Sequence, residues 1–119
     1  MRSANNSLIT TPADMSTSWE SPAVWLGNTV NYSIQLVFTG VPVGNFKLQC
    51  SNDSYANDYI DAANVLNWTD VSGSQQPITA AGDHTWQVEN AGYRWIRAVW
   101  LPTSGIGSIV SARFNTKGF

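Results

Sequence analysis

The side chains of this 119-residue sequence that could perform acid–base or nucleophilic chemistry are few and far apart. His84 is the only histidine and Cys50 is the only cysteine. His84 follows a Gly-Asp turn, where we expect it to be solvated, and Cys50 falls on the apolar side of a predicted strand, where a thiol behaves as a small hydrophobe. A serine nucleophile would need a partner base, and the sequence contains no Gly-x-Ser-x-Gly. The sequence therefore predicts a protein that is not an enzyme and uses no cofactor.

An acidic segment over residues 52–64 carries the oxygen ligands that calcium prefers. Asp53, Asp58 and Asp61 could supply carboxylates, but their spacing does not match the D-x-[DN]-x-[DN]-G pattern of an EF-hand loop. We therefore expect a solvated surface loop with no metal site.

Arg97 is the charged residue whose surroundings in the sequence are most unusual. It lies in "YRWIRAVWL", which is apolar on both faces and is therefore expected to be a strand covered on both sides. Ile96, Ala98 and Trp100 share one face, while Trp95 and Val99 flank Arg97 on the other. We expect Arg97 to be half-buried, with a carboxylate or carbonyl partner and with its guanidinium stacked on a ring.

Aromatic side chains are the candidates for contact with a partner, because six tryptophans exceed what a core of this size needs. Tyr55 and Tyr59, among Asn and Asp residues, are typical of adaptable contact surfaces, with folding back over a sheet edge as the alternative. Together with Trp19, Trp25 and Trp95, they form the predicted set of interaction residues.

The elements that must position these residues are predicted to be short strands. "YSIQLVFTG" and "GNFKLQC" alternate apolar and polar residues, and "TGVPVGN" between them predicts a hairpin turn. "YRWIRAVWL" and "GSIVSARFN" are predicted to form a final hairpin around Ser-Gly-Ile-Gly. With the weaker candidates, this gives an all-β, single-domain sandwich or jelly roll of about seven to nine short antiparallel strands.

The N-terminal residues 1–22 do not show the alternation seen in the domain predicted over residues 23–119. We expect them to be an irregular arm that adds little to the core and reaches across to a neighbouring subunit or an underlying protein surface. The alternative is a first strand that closes an edge of the sandwich.

Charge and hydropathy exclude two classes of partner. Six basic and eight acidic side chains give a net charge of −2, so the sequence lacks the clustered basic residues that bind nucleic acid. It also lacks an apolar run of about 18 residues and a secretory signal, so we expect no membrane partner and synthesis in a cytoplasm without export.

Over about residues 30–119, the order of motifs resembles a family of small β-sandwich proteins from the virion gene modules of tailed bacteriophages. The matching pieces are the Thr-Gly-x-Pro-x-Gly turn, "NWTDVSGS", the aromatic-x-Arg strand, the Ser-Gly-x-Gly turn and the terminal Lys-Gly. The resemblance implies a virion structural protein, such as a head decoration (cement) protein or a tail or fibre component.

The expected partners are therefore a second copy of the chain, as a dimer or trimer, and the major capsid protein or another virion protein. A carbohydrate-binding β-sandwich module that recognises a surface glycan is the alternative, because Trp and Tyr beside Asp and Asn also suit sugar rings.

Overall fold

The computed structural model describes residues 2–26, 31–52, 67–89 and 91–118, which form eleven β-strands and no helix. None of the described segments could therefore cross a membrane as a helix. In chain order the strands are β1 (Arg2–Ser7), β2 (Ala13–Asp14), β3 (Trp19–Glu20), β4 (Val24–Trp25), β5 (Tyr32–Gly40), β6 (Val43–Ser51), β7 (Thr69–Asp70), β8 (Gln76–Ile78), β9 (Gly82–Val88), β10 (Trp95–Ser104) and β11 (Gly107–Gly118).

The strands form two antiparallel sheets. Sheet A has the order β1–β11–β5–β9, with β2 also paired to β11. Sheet B has the order β3–β10–β6–β7, with β4 also paired to β10 and β8 to β6. Because β1 with β2, β3 with β4, and β7 with β8 each share one position beside a long strand, each sheet has four strand positions. Between strand positions the chain crosses from one sheet to the other at every connection except that from β6 to β7, and this order is that of a jelly roll. The predicted all-β sandwich is therefore confirmed.

The two predicted hairpins are wrong, because both turns connect one sheet to the other. β5 pairs with β11 and β9, whereas β6 pairs with β10, β7 and β8. The turn after Gly40 and the turn at Gly105 cross side by side, and both glycines have positive φ, at 89° and 83°. A Cβ on Gly105 would lie 2.2 Å from the carbonyl oxygen of Val41, so the turns approach too closely for a side chain. The Gly and Pro residues predict where a strand ends. They do not predict which sheet the next strand joins, because its apolar face can be buried in the core from either sheet.

The core lies between the sheets and is built from the inward-facing positions of the long strands. The most deeply buried residues include Ile34, Leu36, Phe46, Leu48, Ile96, Trp100 and Ile109. The indole N–H of Trp100 donates to the carbonyl of Met15 at 2.9 Å, and that of Trp86 donates to the carbonyl of Ser74 at 2.8 Å. The two carbonyls belong to segments between short strands, so each indole holds one such segment against the core. A buried indole N–H needs a hydrogen-bond acceptor, and these carbonyls provide it.

Buried serine hydroxyls repair the two interrupted outer positions of sheet B. Between β3 and β4, Ser21 Oγ accepts the amide of Ala98 at 2.9 Å. Between β7 and β8, Ser74 Oγ accepts the amide of Leu48 at 3.0 Å. Both serines are about 5% exposed. The central strands of sheet B therefore keep their hydrogen bonds where the outer chain leaves the ladder.

Residues 2–22 form edge strands, which was the alternative to an arm. β1 pairs with β11 from Arg2 opposite Gly118 to Ser7 opposite Arg113. Leu8 and Met15 belong to the core, and Met15 is fully buried. The expectation that this segment adds little to the core is therefore corrected, because residues between its short strands supply apolar side chains that the local pattern did not reveal.

Candidate functional site

The tryptophans divide between the interior and one outer surface. Trp86 and Trp100 are buried in the core, and Trp19 is packed against it. The other three lie on the outer face of sheet B, which also carries paired charges. This surface is called the tryptophan face and consists of Glu20, Trp25, Lys47, Gln49, Trp68, Asp70, Trp95 and Arg97.

Strand register brings this set together. Along β10, Trp95 lies opposite Trp25 of β4, and Arg97 lies opposite Gln49 of β6. Gln49 in turn lies opposite Asp70 of β7. Since paired residues in antiparallel strands point to the same face, four strand positions contribute to one continuous surface.

Arg97 lies at the centre of this surface. Its Nε and Nη2 both donate to Oε1 of Gln49, at 2.8 and 2.6 Å. Its Nη1 lies 3.4 Å from the carboxylate of Glu20, and its guanidinium carbon lies 4.3 Å from the ring centroid of Trp68. The half-buried cation with a carbonyl partner, an acidic partner and a stacked ring is as predicted.

The polar contacts continue to the opposite edge of the sheet. Gln49 donates from Nε2 to Asp70 at 3.0 Å, and Lys47 donates to the same carboxylate at 3.1 Å. The hydrogen bond from Gln49, followed by that from Lys47, lowers the pKa of Asp70 below its ordinary value of 3.8. The carboxylates of Glu20 and Asp70 are more than half exposed, whereas the cations between them are mostly covered. The result is a row of fixed, internally compensated polar groups.

Beside this row, Trp25 presents an indole to the surface. It is 38% exposed, while Trp95 is 3% exposed. The two ring centroids are 5.1 Å apart with an interplanar angle of 58°. Trp95 thus supports the ring of Trp25 at the edge of the sheet.

The outer face of sheet A is different in chemistry. Its described outward residues on the central and edge strands are mainly small or polar, among them Ser33, Gln35, Thr85, Gln87 and Arg113. No aromatic side chain lies among the described residues of that outer face. Among the described residues, the aromatic side chains of the outer surfaces therefore lie on sheet B.

The predicted interaction residues have separate positions. Trp25 and Trp95 form one pair on the tryptophan face, with Trp95 beneath the more exposed Trp25. Trp19 lies opposite Trp100 and faces inward. Tyr55 and Tyr59 lie outside the described residues.

Trp68 and its polar neighbours were not predicted from the sequence as site residues. The signal for them was present in part, because Trp68 and Asp70 are two residues apart and Lys47 and Gln49 lie on the polar side of an alternating strand. That these two pairs meet Arg97 depends on strand order, which the local pattern does not contain.

Of the residues considered for chemistry, Cys50 and His84 lie in different sheets, while Asp53, Asp58 and Asp61 lie outside the described residues. Burial raises the pKa of the Cys50 thiol. His84 is half-buried rather than solvated, because its ring packs edge-on against Trp86 with centroids 4.7 Å apart. Burial lowers the pKa of His84. Within the described part of the chain, no group of three or more His, Cys, Asp or Glu residues could hold a metal ion.

These features define a jelly-roll β-sandwich with one aromatic outer face. No protein-family model matches the sequence, and no curated protein matches it. Among solved structures, the SPBc2 prophage-derived protein YomS is similar at a TM-score of 0.55 and 10% identity, over 97% of this chain and 92% of YomS. At this identity, the likeness establishes a shared fold.

Two further solved structures are similar at lower scores. PirA has a TM-score of 0.47 and 12% identity, over 97% of this chain and 93% of PirA. A chitosan-binding module of a chitosanase/glucanase from Paenibacillus sp. IK-5 has a TM-score of 0.49 and 16% identity, over 98% of this chain and 94% of the module. At these scores, neither likeness adds to the argument about function.

Proposed function

We propose that this chain is a non-enzymatic structural protein of a bacteriophage particle, and that it decorates the capsid by attaching through one end of the sandwich. The observation that carries the proposal is a pair of exposed apolar side chains at that end, Val41 and Ile106, which are 62% and 68% exposed. Isolated apolar residues on a surface are ordinary, but these two lie on adjoining turns and are the most exposed of the large hydrophobic residues described.

The backbone at this end holds the two side chains in a fixed relation. The amide of Val41 donates to the carbonyl of Ile106 at 2.8 Å. A Cβ on Gly40 would lie 2.6 Å from the Cα of Gly107, so the turns are in backbone contact. A small apolar surface on a rigid turn pair costs little entropy when it docks on a protein partner. We call the surface of Val41 and Ile106 the apolar tip.

The order of sequence motifs and the prophage origin of YomS support a place in a phage particle. The proposed partner of the apolar tip is the major capsid protein, and a tail or fibre protein is the alternative within the same particle. Copies of the chain are proposed to associate as a dimer or trimer, a proposal supported by the low charge content and by further exposed side chains at Leu101 and Val110, 42% and 44% exposed. Light scattering that gives the mass of a monomer at tens of micromolar would contradict this association.

The test of the function is incorporation into particles. Purified phage particles should contain the protein at a fixed ratio to the major capsid protein, measured by quantitative mass spectrometry. Val41→Asp with Ile106→Asp should abolish incorporation without unfolding the chain, because the charges face solvent in the free protein but would be buried on docking. Gln87→Asp, which adds a charge on the outer face of sheet A toward the opposite end, is the matched control and should incorporate normally. Absence of the protein from particles, or normal incorporation of the tip variant, would refute the proposal.

A further inference from the structure

The exposed indole of Trp25 is a rigid platform. Its backbone is paired opposite Trp95, and the Trp95 ring packs against it from the interior side of the surface. The negative face of an aromatic ring attracts the weakly positive C–H groups that line one side of a pyranose ring. A large, rigid side chain also gives contact area at a low cost in conformational entropy.

The polar row beside Trp25 supplies both partners that a sugar hydroxyl needs. A hydroxyl donates one hydrogen bond and accepts others. The carboxylates of Asp70 and Glu20 are exposed acceptors, while the side chains of Lys47 and Arg97, 18% and 17% exposed, add N–H donors along the same row that are partly engaged within it. Because Gln49 joins Arg97 to Asp70 through hydrogen bonds of 2.6 to 3.0 Å, these groups are ordered before a ligand arrives. Little ordering cost would then oppose binding.

The charges of the tryptophan face point to a neutral ligand. Two cations, Lys47 and Arg97, are paired with two carboxylates, Asp70 and Glu20. The paired groups cancel in formal charge, so the face has no excess charge of either sign to attract a polyanion or a basic peptide. Three of the four charged residues on this face, Lys47, Asp70 and Glu20, are of types that are depleted at the cores of protein interfaces.

From these relationships we propose that the tryptophan face binds a neutral oligosaccharide, with one pyranose ring stacked on Trp25 and neighbouring hydroxyls hydrogen-bonded to the row that ends at Asp70. The site is separate from the apolar tip. On β10, Trp95 and Leu101 are six residues apart, a distance of about 20 Å along a strand. The tip residue Ile106 lies beyond Leu101 in the chain, so the Trp25–Trp95 pair is at the opposite end of β10 from the tip. The inference therefore goes beyond attachment to a particle and does not depend on it.

The experiment uses the ¹⁵N-labelled 119-residue chain and follows the indole N–H signals by NMR. Cellohexaose, maltohexaose and xylohexaose are the neutral probes, with oligogalacturonate as the anionic probe and a glucosamine oligomer as the cationic one. At about 1 mM, which detects weak binding, at least one neutral probe should shift the signals of Trp25, Trp68 and Trp95. Those of Trp86 and Trp100, which lie in the core, should not move.

Variants then assign the site. Trp25→Ala should weaken binding of the responding probe about tenfold or more, and Trp25→Phe should restore part of the affinity. Ile106→Ala, which removes an exposed apolar side chain at the tip, should bind normally. The spectra themselves show whether each variant is folded.

The inference is overturned if no neutral probe shifts the three indoles, if only a charged probe does, or if the shifts occur elsewhere on the protein. It is also overturned if purified capsid protein shifts the three indoles and the sugars do not. Particle incorporation is tested separately, with the variants of the apolar tip. A negative result for sugar binding therefore leaves the proposed attachment to a particle untouched, and a negative result for incorporation leaves the sugar-binding proposal untouched.

Discussion

The hydroxyl of Ser74 takes the place of a backbone carbonyl opposite the amide of Leu48. Ser74 Oγ accepts that amide at 3.0 Å and lies 2.7 Å from the carbonyl of Val71, to which it donates. Leu48 is fully buried on a central strand of sheet B, so water cannot replace the missing acceptor. The Ser74 side chain thus allows the segment between β7 and β8 to leave the sheet while the buried amide of Leu48 keeps a hydrogen-bond acceptor.

Ser74→Ala should lower the free energy of unfolding by about 1–3 kcal/mol, because it leaves the buried Leu48 amide without its acceptor. Urea denaturation followed by tryptophan fluorescence measures the change. Ser72→Ala, at an exposed position in the same turn, is the control and should change stability by less than about 0.5 kcal/mol. Equal stability of the two variants would show that the hydroxyl is not needed.

Arg97→Ala should destabilise the fold by about 2 kcal/mol, because it removes the stem that packs beside Trp68 and leaves Oε1 of Gln49 without its two donors. Arg113→Ala is the matched control, since Arg113 lies on the outer face of sheet A and is exposed. Thermal unfolding of both variants compares them directly. Equal melting temperatures would contradict the role given to Arg97.

Met15→Ala should cost about 2–5 kcal/mol, the range for removing a fully buried Met side chain. The loss would show that the N-terminal segment belongs to the core and is not a detachable arm. Thr17→Ala, at an exposed position two residues away, should have little effect on chemical denaturation. A Met15→Ala protein as stable as the parent would restore the arm interpretation.

His84 should make the fold less stable as the pH falls below its ordinary pKa of 6.5. Burial lowers its pKa in the folded state, so the unfolded chain binds a proton more readily. The stability from keeping His84 neutral is present above the unfolded pKa and is lost as the pH falls through the folded pKa.

Melting temperatures measured at about pH 7.5 and about pH 5.5 test this. The parent should lose stability over that interval, and His84→Gln, which cannot titrate, should lose less. As His84 is the only histidine of the sequence, the comparison isolates one group in this range. An identical decline in both proteins would rule out the contribution of His84.

Alternation of apolar and polar residues was enough to predict the class of fold and the buried side of three long strands, β5, β6 and β10. Alternation over Tyr32–Gly40 and in Phe46, Leu48 and Cys50 placed the inward residues correctly, because side chains of a strand point alternately to its two faces. The apolar surroundings of Arg97 likewise required a paired and stacked guanidinium, since an unpaired charge there would be costly.

Which strands are neighbours depends on the packing of the complete fold. A Gly-Pro turn ends a strand whether the next one pairs with it or crosses to the opposite sheet, and so the two hairpins were mispredicted. The same choice brings Trp68, Gln49 and Asp70 to Arg97, and it places Met15 over Trp100. These contacts join residues 21 to 85 positions apart. Pairing over such distances is selected by the packing of the whole core and has no local signature in the chain.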